Sequence, residues 1–246
     1  MIRRIGLLLA LMTPVAGFAA GGALELEHAD NDIGDLNSLQ RGASLFMSYC
    51  FGCHSAKYVR YSRLQTDLDL SQTELRQHLM FAADKPHDTM TTAIPAADAA
   101  IWFGQSPPDL SLTARSRGSD WIYTYLKNFY VDDTRTLGVN NLFLPGASMP
   151  HALWELEGIK QAVFTEQEDS AGNIIRRFDR YETVTPGTIT AEKFDEAVRD
   201  LVNFLEYIAE PVQHQRQSLG IKVILFLLGF LFLTYFLKRE YWKDVH

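Results

Sequence analysis

The chain has 246 residues, 47% hydrophobic and 12% aromatic, which excludes a disordered polymer and allows one or two folded domains. Its net charge of −7 argues against nucleic acid as a partner, because binding phosphates calls for an excess of cations. Two cysteines in the whole chain exclude a disulfide-dense scaffold.

At the N-terminus, Arg3 and Arg4 precede an apolar run from Ile5 to Met12, and a small-residue stretch ends at Ala19-Ala20. This is the pattern of a secretory signal peptide, expected over residues 1–19. Pro14, Gly17, Gly21 and Gly22 cut the run short of the roughly 20 apolar residues of a membrane span. An exported domain is expected over residues 20–215. Within it, Arg41 to Tyr49 reads as a short helix, with Gly42, Phe46 and Tyr49 at three- and four-residue spacing. Glycine inside a helix costs stability relative to alanine, and a close helix crossing would justify Gly42.

That helix leads into Cys50-Phe51-Gly52-Cys53-His54, a C-x-x-C-H pattern. In it, two thiols add to the vinyl groups of a haem and the adjacent histidine reaches the iron. Two rival readings share part of the pattern. A thioredoxin-like pair needs a strand-to-helix context that the flanking sequence lacks, and a structural zinc site needs four ligands where this chain has no further cysteine and no H-x-x-x-H spacing. The expected cofactor is therefore one covalent haem c, held by Cys50 and Cys53 with His54 on the iron.

The sixth iron ligand decides the chemistry, since methionine favours electron transfer and an open position permits ligand binding. Of six methionines, Met1 and Met12 fall in the signal peptide and Met47 lies too close to the haem turn. Met80 ends a stretch read as helical from Ser71 to Phe81, and Met90 lies in a loop where ligation stays open. Met149 is the strongest candidate, because Leu144-Pro145-Gly146-Ala147-Ser148-Met149-Pro150 is a rigid, non-helical loop far along the chain from His54. Packing is the alternative for Met149, and His151 is the runner-up ligand. The other histidines, His28, His78, His87, His214 and His246, read as surface residues.

Pro107-Pro108, within Gly104 to Ser111, interrupts helical structure and exposes carbonyls that could accept the second imidazole N–H of His54. Arg115 or Arg117 could pair with a haem propionate, although an ordinary turn with solvated charges explains the same residues equally well. Near the domain's end, Thr190 is a candidate N-cap for a helix whose stripe is Phe194, Val198, Leu201, Leu205 and Ile208, with Pro211 as its stop.

The apolar run Leu219 to Leu237 is long enough to span a bilayer, broken only by Lys222 and Thr234. Lys238, Arg239 and Lys243 in the tail, residues 238–246, place that tail in the cytoplasm and the domain outside. Setting aside Arg3, Arg4, Lys222, Lys238, Arg239, Lys243, Glu240 and Asp244 leaves 28 acidic against 17 basic side chains in the exported part. Such a surface steers basic partners, with Asp132, Asp133, Glu155 and Glu157 as docking candidates, and it also serves simple solubility.

The ordered set of motifs resembles cytochrome c1, the haem subunit of the cytochrome bc1 complex, in its short bacterial form. The matching pieces are Arg41-Gly42, Cys50 to Ser55, Arg60-Tyr61, Pro107 to Ser111, Ala114-Arg115, Phe143 to Gly146, Met149-Pro150, Phe204-Leu205, Ala209-Glu210-Pro211, the single span, and Lys238-Arg239 with Trp242. The resemblance implies a mainly α cytochrome c-type haem domain with loop insertions and one C-terminal transmembrane helix. It implies His54 and Met149 as axial ligands, Arg115 at a propionate, and Pro107 and Pro108 lining the haem pocket. It also implies a one-electron relay in a bacterial cytoplasmic membrane, without substrate chemistry on this chain, in a dimeric complex with a cytochrome b subunit and membrane lipid. A Rieske iron-sulfur protein would be the donor, and a soluble or anchored cytochrome c the acceptor. The proline run after the methionine is reduced here to Pro150-His151. Gly158 to Thr190 matches loosely and reads as a variable surface excursion. The rivals are an anchored peroxidase or gas sensor with an open distal site, and a free-standing membrane electron carrier.

Overall fold

In the computed structural model, which describes residues 25–168 and 173–244, helix α1 (Leu36–Leu45) starts at Asp35, whose carboxylate accepts from Ser38 N at 3.1 Å. The segment read as a signal peptide lies outside the described residues. Helix α1 does not stop at Leu45. It passes into a π-helical turn, Phe46–Cys50, closed by Phe51 N donating to Phe46 O at 2.8 Å. A π-turn carries one extra residue, so side chains beyond it point in a new direction relative to α1. The expected short helix from Arg41 to Tyr49 is thus the second half of a longer element.

Strand β1 (Ala56–Arg60) pairs antiparallel with the short β2 (Thr89–Met90). Between them lie α2 (Tyr61–Asp67) and α3 (Gln72–His78). Ser71 and Glu74 form a reciprocal capping box that opens α3. The helix read from Ser71 to Phe81 ends three residues earlier than expected, before Met80. Helices α4 (Ala96–Phe103), α5 (Thr113–Arg117) and α6 (Ser119–Lys127) follow, then the pair β3 (Phe129–Val131) and β4 (Val139–Asn141). After the short α7 (Trp154–Glu157), β5 (Gly158–Glu168) and β6 (Ile174–Pro186) form a long antiparallel hairpin. The surface excursion is therefore regular structure. Its strands lack clean two-residue alternation because both faces of most of the hairpin remain exposed to water.

The core closes where α1 crosses α8 (Ala191–Ala209). Thr190 caps α8 through its side chain, and Phe194, Val198, Leu201, Leu205 and Ile208 are all buried, as the 3.6-residue stripe requires. Each such burial contributes roughly 1.5–3 kcal/mol, against about 1 kcal/mol for a cap, so packing dominates the helix's stability. Gly42 is where the backbones meet. A Cβ there would fall 2.0 Å from the Asp200 carbonyl oxygen and 2.8 Å from Phe204 Cβ. Beside it, Arg41 donates twice to the buried Asp200 carboxylate, at 2.5 and 2.9 Å, while Phe46 and Phe204 meet at 5.5 Å. The segment from Glu27 to Asp32 is strapped across α6 and α8, with Ala29 N on Asp120, Arg199 on Ala29 O and Asn203 on Asp32 O.

Helix α9 (Gln213–Tyr241) has 29 residues and a mean hydropathy of 2.2 over its most apolar window. At 1.5 Å per residue it is about 43 Å long, more than the roughly 30 Å of a bilayer's hydrocarbon core. Its Leu, Ile and Phe side chains are exposed along its length, as a lipid-facing helix demands.

Because Gly42 admits no side chain without moving the Asp200 backbone, Gly42→Ala is expected to lower domain stability by about 1–3 kcal/mol. Chemical denaturation of the haem domain within the full chain reads this directly, and an unchanged midpoint would contradict the close crossing.

Candidate haem site

The π-turn delivers Cys50 to the start of a tight turn in which Cys53 N and His54 N both donate to Cys50 O, at 3.1 and 2.8 Å. Cys50 is buried and Cys53 half-buried, and both are free thiols. Burial pushes the Cys50 thiol up to about 12, so at neutral pH it is not the thiolate that redox exchange or metal binding needs. Two reduced thiols two residues apart, followed at once by histidine, suit thioether attachment.

A second strand of chain braces this turn. Pro108 O accepts from His54 Nδ1 at 2.8 Å, Leu110 N donates to Ser55 O at 2.8 Å, and Asp109 and Ser111 receive Lys57 N and Tyr58 N. From the other side, Thr92 Oγ1 donates to Gly52 O at 2.8 Å and Thr92 N donates to Ser55 Oγ at 3.0 Å. A carbonyl only accepts, so Nδ1 carries the imidazole proton and Nε2 keeps its lone pair. Burial lowers the His54 pKa and outweighs the contributions of the Pro108 carbonyl and Asp109 that raise it, which keeps the ring neutral. Nε2 has no hydrogen-bond partner among the described residues. A neutral imidazole, fixed in tautomer and direction with a free nitrogen, is what an iron ligand requires.

Met149 is half-buried against the core, and its Sδ accepts from Tyr125 Oη at 3.5 Å. His151, the runner-up, is engaged otherwise. Its ring stacks on Phe129 at 5.3 Å with 6° between planes, and its Nε2 lies 2.8 Å from Glu157 Oε2, close to it though not aligned as a hydrogen bond. Met90 is wholly buried in β2 opposite Ala56, and Met47 and Met80 are buried in the core. The described histidines expected on the surface, His28, His78, His87 and His214, are all exposed.

Arg115 and Arg117 line a cavity of about 560 Å³ together with Trp121, Glu206 and Glu210. Both arginines are exposed, and among the described residues neither forms an ion pair; Arg117 sits 5.0 Å over the Trp121 ring. Two unpaired guanidiniums on one wall can receive carboxylates. Of the acidic docking candidates, Glu157 faces inward onto His151 and Lys160, Asp132 accepts from Thr134 and Asn140, and Asp133 and Glu155 remain exposed. Reading single residues missed Tyr125, although Trp121, Tyr125 and Phe129 at four-residue spacing are visible in the sequence.

The reading of Met149 as distal ligand makes a direct expectation. Met149→Leu keeps side-chain volume and removes the sulfur, so the reduced variant is expected to bind carbon monoxide where the unaltered protein does not. A variant that excludes carbon monoxide as fully as its parent would count against the assignment.

Comparison with known proteins places the chain in a family. The family described as "Cytochrome C1 family" matches residues 31–245. "Cytochrome c1" of Allochromatium vinosum is 48% identical over 237 residues, covering 96% of each chain. A protein of Nitrosomonas europaea named "Ammonia monooxygenase gamma subunit" is 42% identical over 240 residues, 98% of this chain and 97% of that one. "Cytochrome b/c1" of Bradyrhizobium diazoefficiens is 25% identical over 244 residues, 86% of this chain and 34% of that one.

Proposed function

Since this chain belongs to the cytochrome c1 family, the haem-carrying electron-transfer subunit of the bc1 complex, we propose that it takes one electron from a Rieske iron-sulfur protein and gives it to a cytochrome c. Members of the family carry one covalent haem c, and the haem when bound supplies a one-electron Fe(III)/Fe(II) couple. In the proposed site, Cys50 and Cys53 would form the thioethers, His54 Nε2 and Met149 Sδ would ligate the iron, and Arg115 would receive a propionate. Pro107 and Pro108 form the wall behind His54.

The observation that carries this reading is the hydrogen bond from His54 Nδ1 to Pro108 O. It fixes the imidazole without charging it, as a permanent iron ligand needs and a thiol redox pair does not. The chain's own part is to hold geometry. The braced turn and the packed loop keep both ligands in place in either oxidation state, which makes exchange of one electron fast.

The protein is membrane-anchored, and among the described residues α9 is the helix long and apolar enough to serve. Lys238, Arg239 and Lys243 beyond the span support a cytoplasmic C-terminus with the haem domain on the periplasmic side. Within the membrane α9 packs beside a cytochrome b subunit, in keeping with the relative named "Cytochrome b/c1".

Purification in mild detergent separates the readings. The chain is expected to be recovered with b-type haem and an iron-sulfur protein, and to be reduced on adding a quinol and reoxidised by a soluble c-type cytochrome. Recovery alone would contradict the relay, and co-purification with an ammonia-oxidising activity would instead favour the name borne by the Nitrosomonas relative.

A further inference from the structure

Helix α6 presents one aromatic stripe, and it ends on the loop that carries Met149. Trp121 and Tyr125 stack at 5.1 Å with 10° between planes, Tyr125 meets Phe129 edge-on at 5.1 Å, and Phe129 stacks on His151 at 5.3 Å. Residues spaced by four lie on one helix face, so α6 sets Trp121 beside Tyr125, and Phe129, the first residue of β3, continues the row just beyond the helix end. The row touches the ligand loop twice, at Met149 through the Tyr125 hydroxyl and at His151 through the Phe129 ring. Tyr125 is buried, and its hydroxyl has no hydrogen-bond partner other than Met149 Sδ among the described residues. Burial also pushes this phenol up to about 12, so it remains a donor at neutral pH.

A thioether sulfur has two lone pairs. One can coordinate a metal while the other accepts a hydrogen bond. An O–H dipole aimed at the sulfur draws electron density from it, which weakens its donation to iron. Ferric iron depends on that donation more than ferrous iron does, so the bond favours the reduced state. Positioning follows from the same contact. Gripped between Trp121 and Phe129, the phenol holds the sulfur at one place on the loop.

We propose that Tyr125 is a positioning residue for the axial methionine, whose hydroxyl holds Met149 Sδ and raises the reduction potential of the bound haem. This rests on Met149 being the distal ligand, and the test separates the two claims. A phenylalanine at 125 keeps the ring and both ring contacts and removes one oxygen.

In the full-length protein purified with its haem, Tyr125→Phe is expected to lower the reduction potential measurably and to shift, without abolishing, the methionine-to-iron charge-transfer band of the oxidised form. Thermal stability should change little. In a Met149→Leu background the same substitution should no longer move the potential, because the sulfur through which it acts is gone. A second reading needs no substitution: transfer from H₂O to D₂O should move the charge-transfer band, since the exchangeable hydroxyl proton of Tyr125 is donated to the sulfur. If the band is absent from the unaltered protein, the ligand assignment fails. If the band is present but Tyr125→Phe leaves the potential unchanged, or shifts it equally without the sulfur, the role of Tyr125 is overturned while the ligand assignment stands. A band unmoved by D₂O likewise overturns the hydrogen bond.

Discussion

A haem clipped to a five-residue turn is useful only if the histidine in that turn points one way, and here the carbonyl of Pro108 sets that direction. Proline matters at this position because its neighbour blocks helical structure and its ring has no N–H, so the segment runs extended with carbonyls free to accept. The same extended run gives Leu110 N to Ser55 O, and Asp109 and Ser111 to the backbone of β1. The turn is thereby held from both sides, with Thr92 closing the second. Behind it, the π-turn and α1 fix the origin of the turn in the core, and α1 is fixed in turn by the backbone approach at Gly42 and the Arg41–Asp200 pair.

The loop that carries Met149 is held by a different device. The loop from Leu144 to His151 has no secondary structure of its own, so its position depends on what it touches. Its far end is tied to the root of the β5–β6 hairpin through His151, Glu157 and Lys160. Lys160 in turn donates to Lys127 O at 2.5 Å and lies 4.2 Å over the Tyr181 ring. Glu157 and Lys160 form a half-buried ion pair at that root, and removing one partner would leave the other's charge uncompensated. Asn141 adds a second tie, with its side chain on Tyr125 O and on the amides of Phe143 and Leu144. Helix α6 therefore reaches the loop through backbone, ring and hydroxyl contacts. If Met149 supplies the second ligand as proposed, stiffness of both segments would limit the rearrangement that accompanies a change of one electron.

Much of this was legible in the sequence, and the reason differs from residue to residue. The C-x-x-C-H turn is readable because its chemistry is local. Helix α8 is readable because Phe194, Val198, Leu201, Leu205 and Ile208 repeat at helical spacing, with Thr190 and Pro211 marking its ends. Gly42 is readable as an exception to helix propensity that only a close crossing explains. The hairpin was illegible as strands, since few of its residues are buried and no alternation betrays it. The partnership of Tyr125 with Met149 spans 24 positions between a helix and a loop, and no spacing rule links them. Glu157 read as a surface acid because charge composition carries no information on which way a side chain turns.

The central claim is that one iron is held by the imidazole aimed by Pro108 on one side and by the sulfur of Met149 on the other. X-ray absorption at the iron edge of the oxidised, full-length protein tests it most directly. The account predicts a single sulfur scatterer with five nitrogens, the sulfur shell disappearing in Met149→Leu. A first shell of nitrogen and oxygen alone in the unaltered protein would contradict it.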